Sequence, residues 1–194
     1  MIKRSASEAL EALAKQFKAV AVVGPRQSGK TTLVRSLFKD KAYTNLENPD
    51  TRNFALEDPR GFLAMYPDGA ILDEVQKVPS LFSYLQQILD ESDQCGLFIL
   101  TGSSNFLIQE GISQSLAGRV GYLFLMPLSL QEIGVSDSTS NQIMLEGGYP
   151  SLHQKNAIDH SLFYENYIRT YVERDVRMIK GIQDLYTFER FIRL

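Results

Sequence analysis

Five small apolar residues, Ala19, Val20, Ala21, Val22 and Val23, run straight into Gly24, and a helical pattern opens at Thr31. Nothing else in the chain narrows the choice of folds so far. Between the two, Gly24, Pro25, Arg26, Gln27, Ser28, Gly29, Lys30 and Thr31 satisfy G-x-x-x-x-G-K-[ST] at every fixed position, and Thr32 continues the helix. The composition has a chemical reason. Glycines let the backbone curl without a clashing Cβ, so successive N–H groups can point at one anion. The helix that follows adds its positive end. Lys30 is then expected to reach the β- and γ-phosphates, and the Thr31 hydroxyl to ligate Mg²⁺. Residues 24–32 read as a cradle for a magnesium-bound nucleoside triphosphate. ATP is favoured over GTP because the sequence holds no [NT]-K-x-D segment to read guanine.

A strand feeding such a loop needs parallel neighbours, and the chain supplies them. Ala42 to Thr44 is the weakest run; Gly69 to Leu72, Leu97 to Leu100 and Val120 to Met126 are stronger. Their continuous apolar character suits strands covered on both faces. Helical patterns fall between most of them. One covers Thr31 to Phe38, and another, Ser80 to Leu89, puts Leu81, Phe82, Leu85, Ile88 and Leu89 on one face. A third spans Asn105 to Leu116 and is stopped by Gly118. Ser5 and Glu8 have the spacing of a capping box for an earlier helix carrying Leu10, Leu13, Ala14 and Phe17. Strand alternating with helix predicts a three-layer α/β/α fold around a five-stranded parallel sheet.

Pro127 marks a change of character. Residues 136–142 are polar, Gly147-Gly148-Tyr149-Pro150 is a turn cluster, and a helical pattern from Asp159 carries Ile168, Val172, Val176 and Ile179. A last helix opens near Asp184 and stops at Leu194 without a terminating glycine or proline. The expected division is a core with its N-terminal helix over residues 1–127 and a helical lid, incomplete, over residues 128–194.

Three further places carry chemistry. Asp73 and Glu74 follow the run Gly69 to Leu72, and paired acids at a strand end suit a hydrolytic site: Asp73 to hold magnesium, Glu74 to polarise the attacking water. Thr101-Gly-Ser-Ser-Asn105 follows Leu97 to Leu100, and Ser103, Ser104 or Asn105 could sense the γ-phosphate; the sequence does not choose among them. Arg119 stands alone between Lys77 and Lys155 and could serve as an arginine finger, or form a structural ion pair at a sheet end. Glu173, Arg174, Asp175 and Arg177 read as a solvated helix face. His153 and His160 have no partners suggesting metal or acid–base work, and Tyr149, Tyr164, Tyr167 and Tyr171 read as packing.

Charge and cysteine content limit the function classes. Net charge is -3, so no global basic field advertises nucleic acid. Residues 1–40 nevertheless carry eight Lys/Arg against three acids, which suits a phosphate loop. A single cysteine, Cys95, rules out an internal disulfide framework and favours a reducing compartment. No apolar run approaches the roughly 20 residues of a membrane helix, and no signal peptide is apparent, so a cytoplasmic protein without membrane association is expected.

The ordered set of motifs resembles prokaryotic AAA-type ATPases of the compact kind. The likeness rests on residues 24–32, on Asn45-Leu-Glu-Asn-Pro-Asp-Thr51 and Ile71-Leu-Asp-Glu-Val-Gln76, and on Leu100-Thr-Gly-Ser103, Ser115-Leu-Ala-Gly-Arg119 and Tyr171-Val-Glu-Arg-Asp175. It implies an AAA-type strand order with the Ser103 strand between the loop strand and the Asp73 strand, and a helical lid after Pro127. It also makes Arg119 the natural finger candidate; in this architecture it would reach a neighbouring subunit's nucleotide more easily than its own, which would need a homo-oligomer. Members usually continue into a winged-helix-like segment and a restriction-endonuclease-like domain of unknown function, so the end at Leu194 is expected to reflect a shortened chain. The resulting expectation is Mg²⁺-dependent ATP hydrolysis, with coupling to remodelling of a DNA or protein partner as its extension. The alternative is a slow, nucleotide-dependent switch that recruits such a partner; a phosphotransferase is a weaker rival, because paired acids suit water activation better.

Overall fold

In the computed structural model, which describes residues 2–103, 108, 111–134, 140–154, 157–174 and 185–192, five parallel strands form one sheet. The strands are β1 (Ala19–Val23), β2 (Ala42–Asn45), β3 (Ala70–Asp73), β4 (Phe98–Gly102) and β5 (Val120–Phe124). Their order is β2-β3-β4-β1-β5, so the strand leading to Ser103 lies between the loop strand and the Asp73 strand, as expected. Ala19 pairs with Phe98 on one side and Val120 on the other, and Ile71 with Ile99. All five residues of β1 are fully buried, which explains why its apolar run does not alternate.

Helices cover both faces. Val20 and Val22 of β1 pack with Leu10 of α1 (Ala6–Gln16) and with Leu33 and Val34 of α2 (Lys30–Leu37). Ala19, Ala21 and Val23 face the other way, into a cluster with Phe62, Leu81, Phe82, Leu85 and Leu89. These come from α4 (Pro59–Ala64) and α5 (Leu81–Glu91). Burying each such side chain contributes about 1.5–3 kcal/mol. This is the three-layer α/β/α arrangement that strand–helix alternation implies.

Some local expectations change. Ser5 does not cap α1 with its side chain; its backbone N–H donates instead to Glu132 at 2.6 Å, so the Ser5–Glu8 box does not form. Two helices lie where no helical pattern was read: α3 (Pro49–Glu57) and α4. Each opens with a side-chain cap followed by proline at the first turn. Asn48 accepts from the Asp50 and Thr51 N–H groups, and Asp58 from Gly61 N–H. Within the span Asn105 to Leu116, Ile112–Leu116 winds as a π-helical turn, and Gly118 follows with φ +76°.

The chain divides into two compact units, residues 1–132 and 133–194. Within the second, His160–Arg174 forms a helix whose first turn is capped by Asp159, which accepts from Leu162 N–H at 3.0 Å. Tyr149, Phe163, Tyr164 and Tyr167 form an aromatic cluster with centroids 5.0–6.2 Å apart, so the packing role expected for these tyrosines is realised. His153 bonds to the Gly147 carbonyl. Asp175, Val176, Arg177, Ile179 and Asp184 lie outside the described residues. Among the described residues no helix is long and apolar enough to cross a membrane.

Candidate functional site

The C-terminal end of β1 delivers the chain into the loop. Gly24 has φ +150°, and a Cβ on it would sit 2.2 Å from the Leu125 carbonyl oxygen, so only glycine fits this approach. Gly29 closes the loop at φ +93° and stands at the N-cap of α2. Lys30 is buried, and its Nζ donates to the Gly24 and Pro25 carbonyls at 2.9 and 2.8 Å, holding the loop's entry against its exit. Ser28 is buried, Gln27 and Thr32 are exposed, and Arg26 lies 4.0 Å from Glu47.

From the first turn of α2, the Thr31 hydroxyl donates to Asp73 Oδ2 at 3.0 Å and Oδ1 at 3.2 Å. The two expected metal ligands thus meet although the sequence separates them widely. Asp73, at the end of β3 and only 5% exposed, is a node for three hydroxyls. Tyr43 of β2 donates to Oδ2 at 2.8 Å, and the buried Thr101 of β4 donates to Oδ1 through a short contact. Neither residue was picked out by the sequence reading. Thr101 left one signal, a hydroxyl inside an otherwise apolar buried strand; Tyr43 left none, because it lies in the weakest run. Burial, and then the hydrogen bond to Asp73 and its charge, push the Tyr43 phenol up to about 12. The Arg35 guanidinium lies over the Tyr43 ring, 4.5 Å from its centroid.

Glu74 turns out of the strand in a left-handed conformation, φ 58° and ψ 43°, which is uncommon for a non-glycine residue and typical of strained functional positions. Gln76 Nε2 and Ser103 Oγ both donate to Glu74 Oε2, the latter at 3.1 Å. The structure therefore brings Ser103 to the acid pair through Glu74. Ser104 and Asn105 fall outside the described residues.

Arg119 is elsewhere. It precedes β5, and its carbonyl accepts from Ala19 N–H where β1 begins, at the opposite end of the sheet from the loop. Its guanidinium donates to both carboxylate oxygens of Asp90, Nη2 to Oδ2 at 3.0 Å. That bond is the main reason the Asp90 carboxyl lies below its ordinary value and Arg119 above its own. Within one chain Arg119 is not part of the acid and lysine cluster. A cavity of about 460 Å³ lined by Lys41, Tyr66 and Asp68 also lies away from the cluster, where β2 and β3 begin.

The donor chemistry suits Mg²⁺ and a polyphosphate. A hydroxyl and a carboxylate are the hard oxygen ligands Mg²⁺ prefers, with its other positions left to substrate and water. A buried ammonium, a left-handed glycine and the first turn of a helix stand beside them.

Comparison with known proteins bears on this site. Residues 16–134 match the AAA domain family, and residues 137–194 match a domain of unknown function (DUF8612). The chain is 31% identical over 180 residues to the uncharacterized proteins Mb2031c of Mycobacterium bovis and Rv2008c of Mycobacterium tuberculosis. These alignments take in 91% of this chain but 40% of each relative, so the chain spans well under half the length of the curated relatives it matches. Among solved structures it is similar to the Walker-type ATPase PABY2304 of Pyrococcus abyssi, with a TM-score of 0.55 and 14% identity over 100% of this chain and 76% of that one. It is also similar to PH0952 of Pyrococcus horikoshii, a Signal Transduction ATPase with Numerous Domains bearing a tetratricopeptide repeat sensor. There the TM-score is 0.53 and identity 15%, over 87% of this chain and 32% of that one. At such identities the two structures establish the fold alone.

Proposed function

We propose that this chain, which belongs to the AAA domain family of P-loop ATPases, binds ATP with Mg²⁺ in the loop 24–32 and hydrolyses it. The observation that carries the reading is the convergence of Lys30 and Thr31, at the start of α2, with Asp73, at the end of β3, onto one end of the sheet. In this reading the amides of residues 24–32 and the Lys30 ammonium bind the phosphates, and Thr31 and Asp73 hold the cation. Bound Mg²⁺ would neutralise charge developing on the phosphates. Tyr43 and Thr101 hold the Asp73 carboxylate in place, one on each oxygen. Glu74 takes the role of general base, and Ser103 orients it. Arg119 would act on the nucleotide of a neighbouring copy, which requires release of Asp90 and assembly. Coupling to a DNA or protein partner belongs to the same proposal.

One observation favours the second reading, a slow nucleotide-dependent switch. Gln76 and Ser103 already engage Glu74 Oε2, an oxygen that a base would turn toward the attacking water. The primary reading is tested by titrating a fluorescent ATP analogue with magnesium. Saturable binding by the wild type and a loss of about 100-fold in Lys30→Ala are expected. Unchanged affinity in a folded Lys30→Ala protein would remove the loop from its role.

A further inference from the structure

Arg4 precedes α1 and belongs to none of the motifs above. Its guanidinium nevertheless bridges three separate segments of the ATPase unit. Nη1 donates to the Ser28 carbonyl of the phosphate loop at 2.7 Å, and Nη2 to the Met126 carbonyl after β5 at 2.6 Å. Nε donates to Glu132 Oε1 at 3.2 Å. The Arg4 side chain is 9% exposed and that of Glu132 6%, so solvent does little to loosen the arrangement. Glu132 is itself held: it accepts from Ser5 N–H at 2.6 Å and from Ser129 N–H at 2.8 Å.

The contact on Ser28 has a directional consequence. Across a trans peptide the carbonyl of residue 28 and the N–H of residue 29 point in opposite directions. Fixing the Ser28 carbonyl on Arg4 therefore turns the Gly29 N–H the other way, and Gly29 is the glycine at which α2 begins. A loop that binds phosphate through its amides gains affinity when those amides are set in advance, because less conformational freedom is lost on binding. Arginine suits this task better than lysine: its planar fork can serve several acceptors in fixed directions.

We propose that Arg4 is a positioning residue of the phosphate loop, and that the same guanidinium ties the loop to the connector at residues 126–132, through which the chain leaves the ATPase unit. The proposal rests on the nucleotide-binding reading above. Filling of the loop is then felt at the connector without any contact between nucleotide and connector. Ser28 moves with the bound phosphates, Arg4 moves with Ser28, and Met126 and Glu132 follow.

The test compares wild type, Arg4→Ala and Arg4→Lys, each first checked for a cooperative melting transition. Two quantities are measured: affinity for a fluorescent ATP analogue with magnesium, and amide hydrogen exchange of residues 126–132 with and without the analogue. The wild type should bind saturably and show slowed exchange in the connector. Arg4→Ala should bind about tenfold more weakly and lose the exchange response, with Arg4→Lys intermediate in both. A purely structural Arg4 would lower the melting midpoint and leave the response intact. Wild-type affinity and response in folded Arg4→Ala would overturn the proposal and leave the nucleotide reading standing. If Arg4→Ala does not fold, full affinity and full response in Arg4→Lys overturn it equally. No saturable binding by the wild type would overturn both.

Discussion

The Thr31 hydroxyl donates to Asp73 Oδ2 at 3.0 Å across 42 residues of chain, joining the first turn of α2 to the end of β3. The bond is local evidence that loop, helix and strand are set by one another. It also marks where a hard cation would divide its protein ligands. Removing Mg²⁺ with a chelator should weaken the ATP analogue by about tenfold or more in the wild type. In Asp73→Asn the dependence should largely disappear. Titrations with and without chelator decide it, and equal sensitivity in both proteins would take Asp73 out of the metal site.

Glu74→Gln removes the proposed base while keeping the size and one hydrogen-bond acceptor. ATP turnover should fall by about 100-fold or more, with analogue affinity changed little. Steady-state phosphate release and the same binding titration report the two quantities. Equal, appreciable turnover in both proteins would remove Glu74 from its role. A wild type that binds tightly and does not turn over would favour the switch.

The Arg119–Asp90 pair separates a structural function from one in trans. Both side chains are exposed, so the ion pair is weak in water and Asp90→Asn should leave the melting midpoint nearly unchanged. Arg119→Ala should do the same to stability. If Arg119 reaches a neighbour's nucleotide, however, Arg119→Ala alone should abolish the part of ATP turnover that rises with protein concentration. Turnover per chain independent of concentration in the wild type would exclude the finger.

Glu132 makes stability depend on pH. Burial opposes its charge, yet the Ser129 and Ser5 N–H donors and the Arg4 charge together hold the carboxyl below its ordinary 4.5. The folded state thus binds the proton less readily than the unfolded chain. The stabilisation is fully present above pH 4.5 and is lost as pH falls through the lowered folded value. Urea midpoints across this acid range should show the gap between wild type and Glu132→Gln closing as pH drops. A gap independent of pH would show that Glu132 acts by packing alone.

The loop and its two flanking elements were legible because each is written in contiguous residues. An apolar run that never alternates, a glycine, and a lysine–threonine pair leave few other arrangements. The acid pair was legible for the same reason, standing at the end of a second such run. The node around Asp73 was not, because it joins β2, β3, β4 and α2, and no spacing along the chain encodes a meeting of four elements. The strand order came from resemblance rather than from hydrophobic pattern, which is the same for any buried parallel strand. Helices α3 and α4 were missed because they are short and mostly polar or half-exposed, with caps and prolines at Asn48-Pro49 and Asp58-Pro59 as their main signal. The Ser5 box failed because Glu132, remote in sequence, takes the Ser5 N–H.

The hydroxyl node also bears on how the strands find their alignment while folding. With both faces of β3 covered, sliding it one residue against β4 would still bury apolar side chains, so oil-like attraction alone is a poor proofreader. The slide would, however, move Asp73 away from Thr101 and Tyr43 and strand a carboxylate in a dry interior, a cost of several kcal/mol. The residue assigned to a cation in the finished protein thereby also acts as a checksum on its assembly, and a neutral substitute there should fold with more misaligned species than its equilibrium stability alone implies.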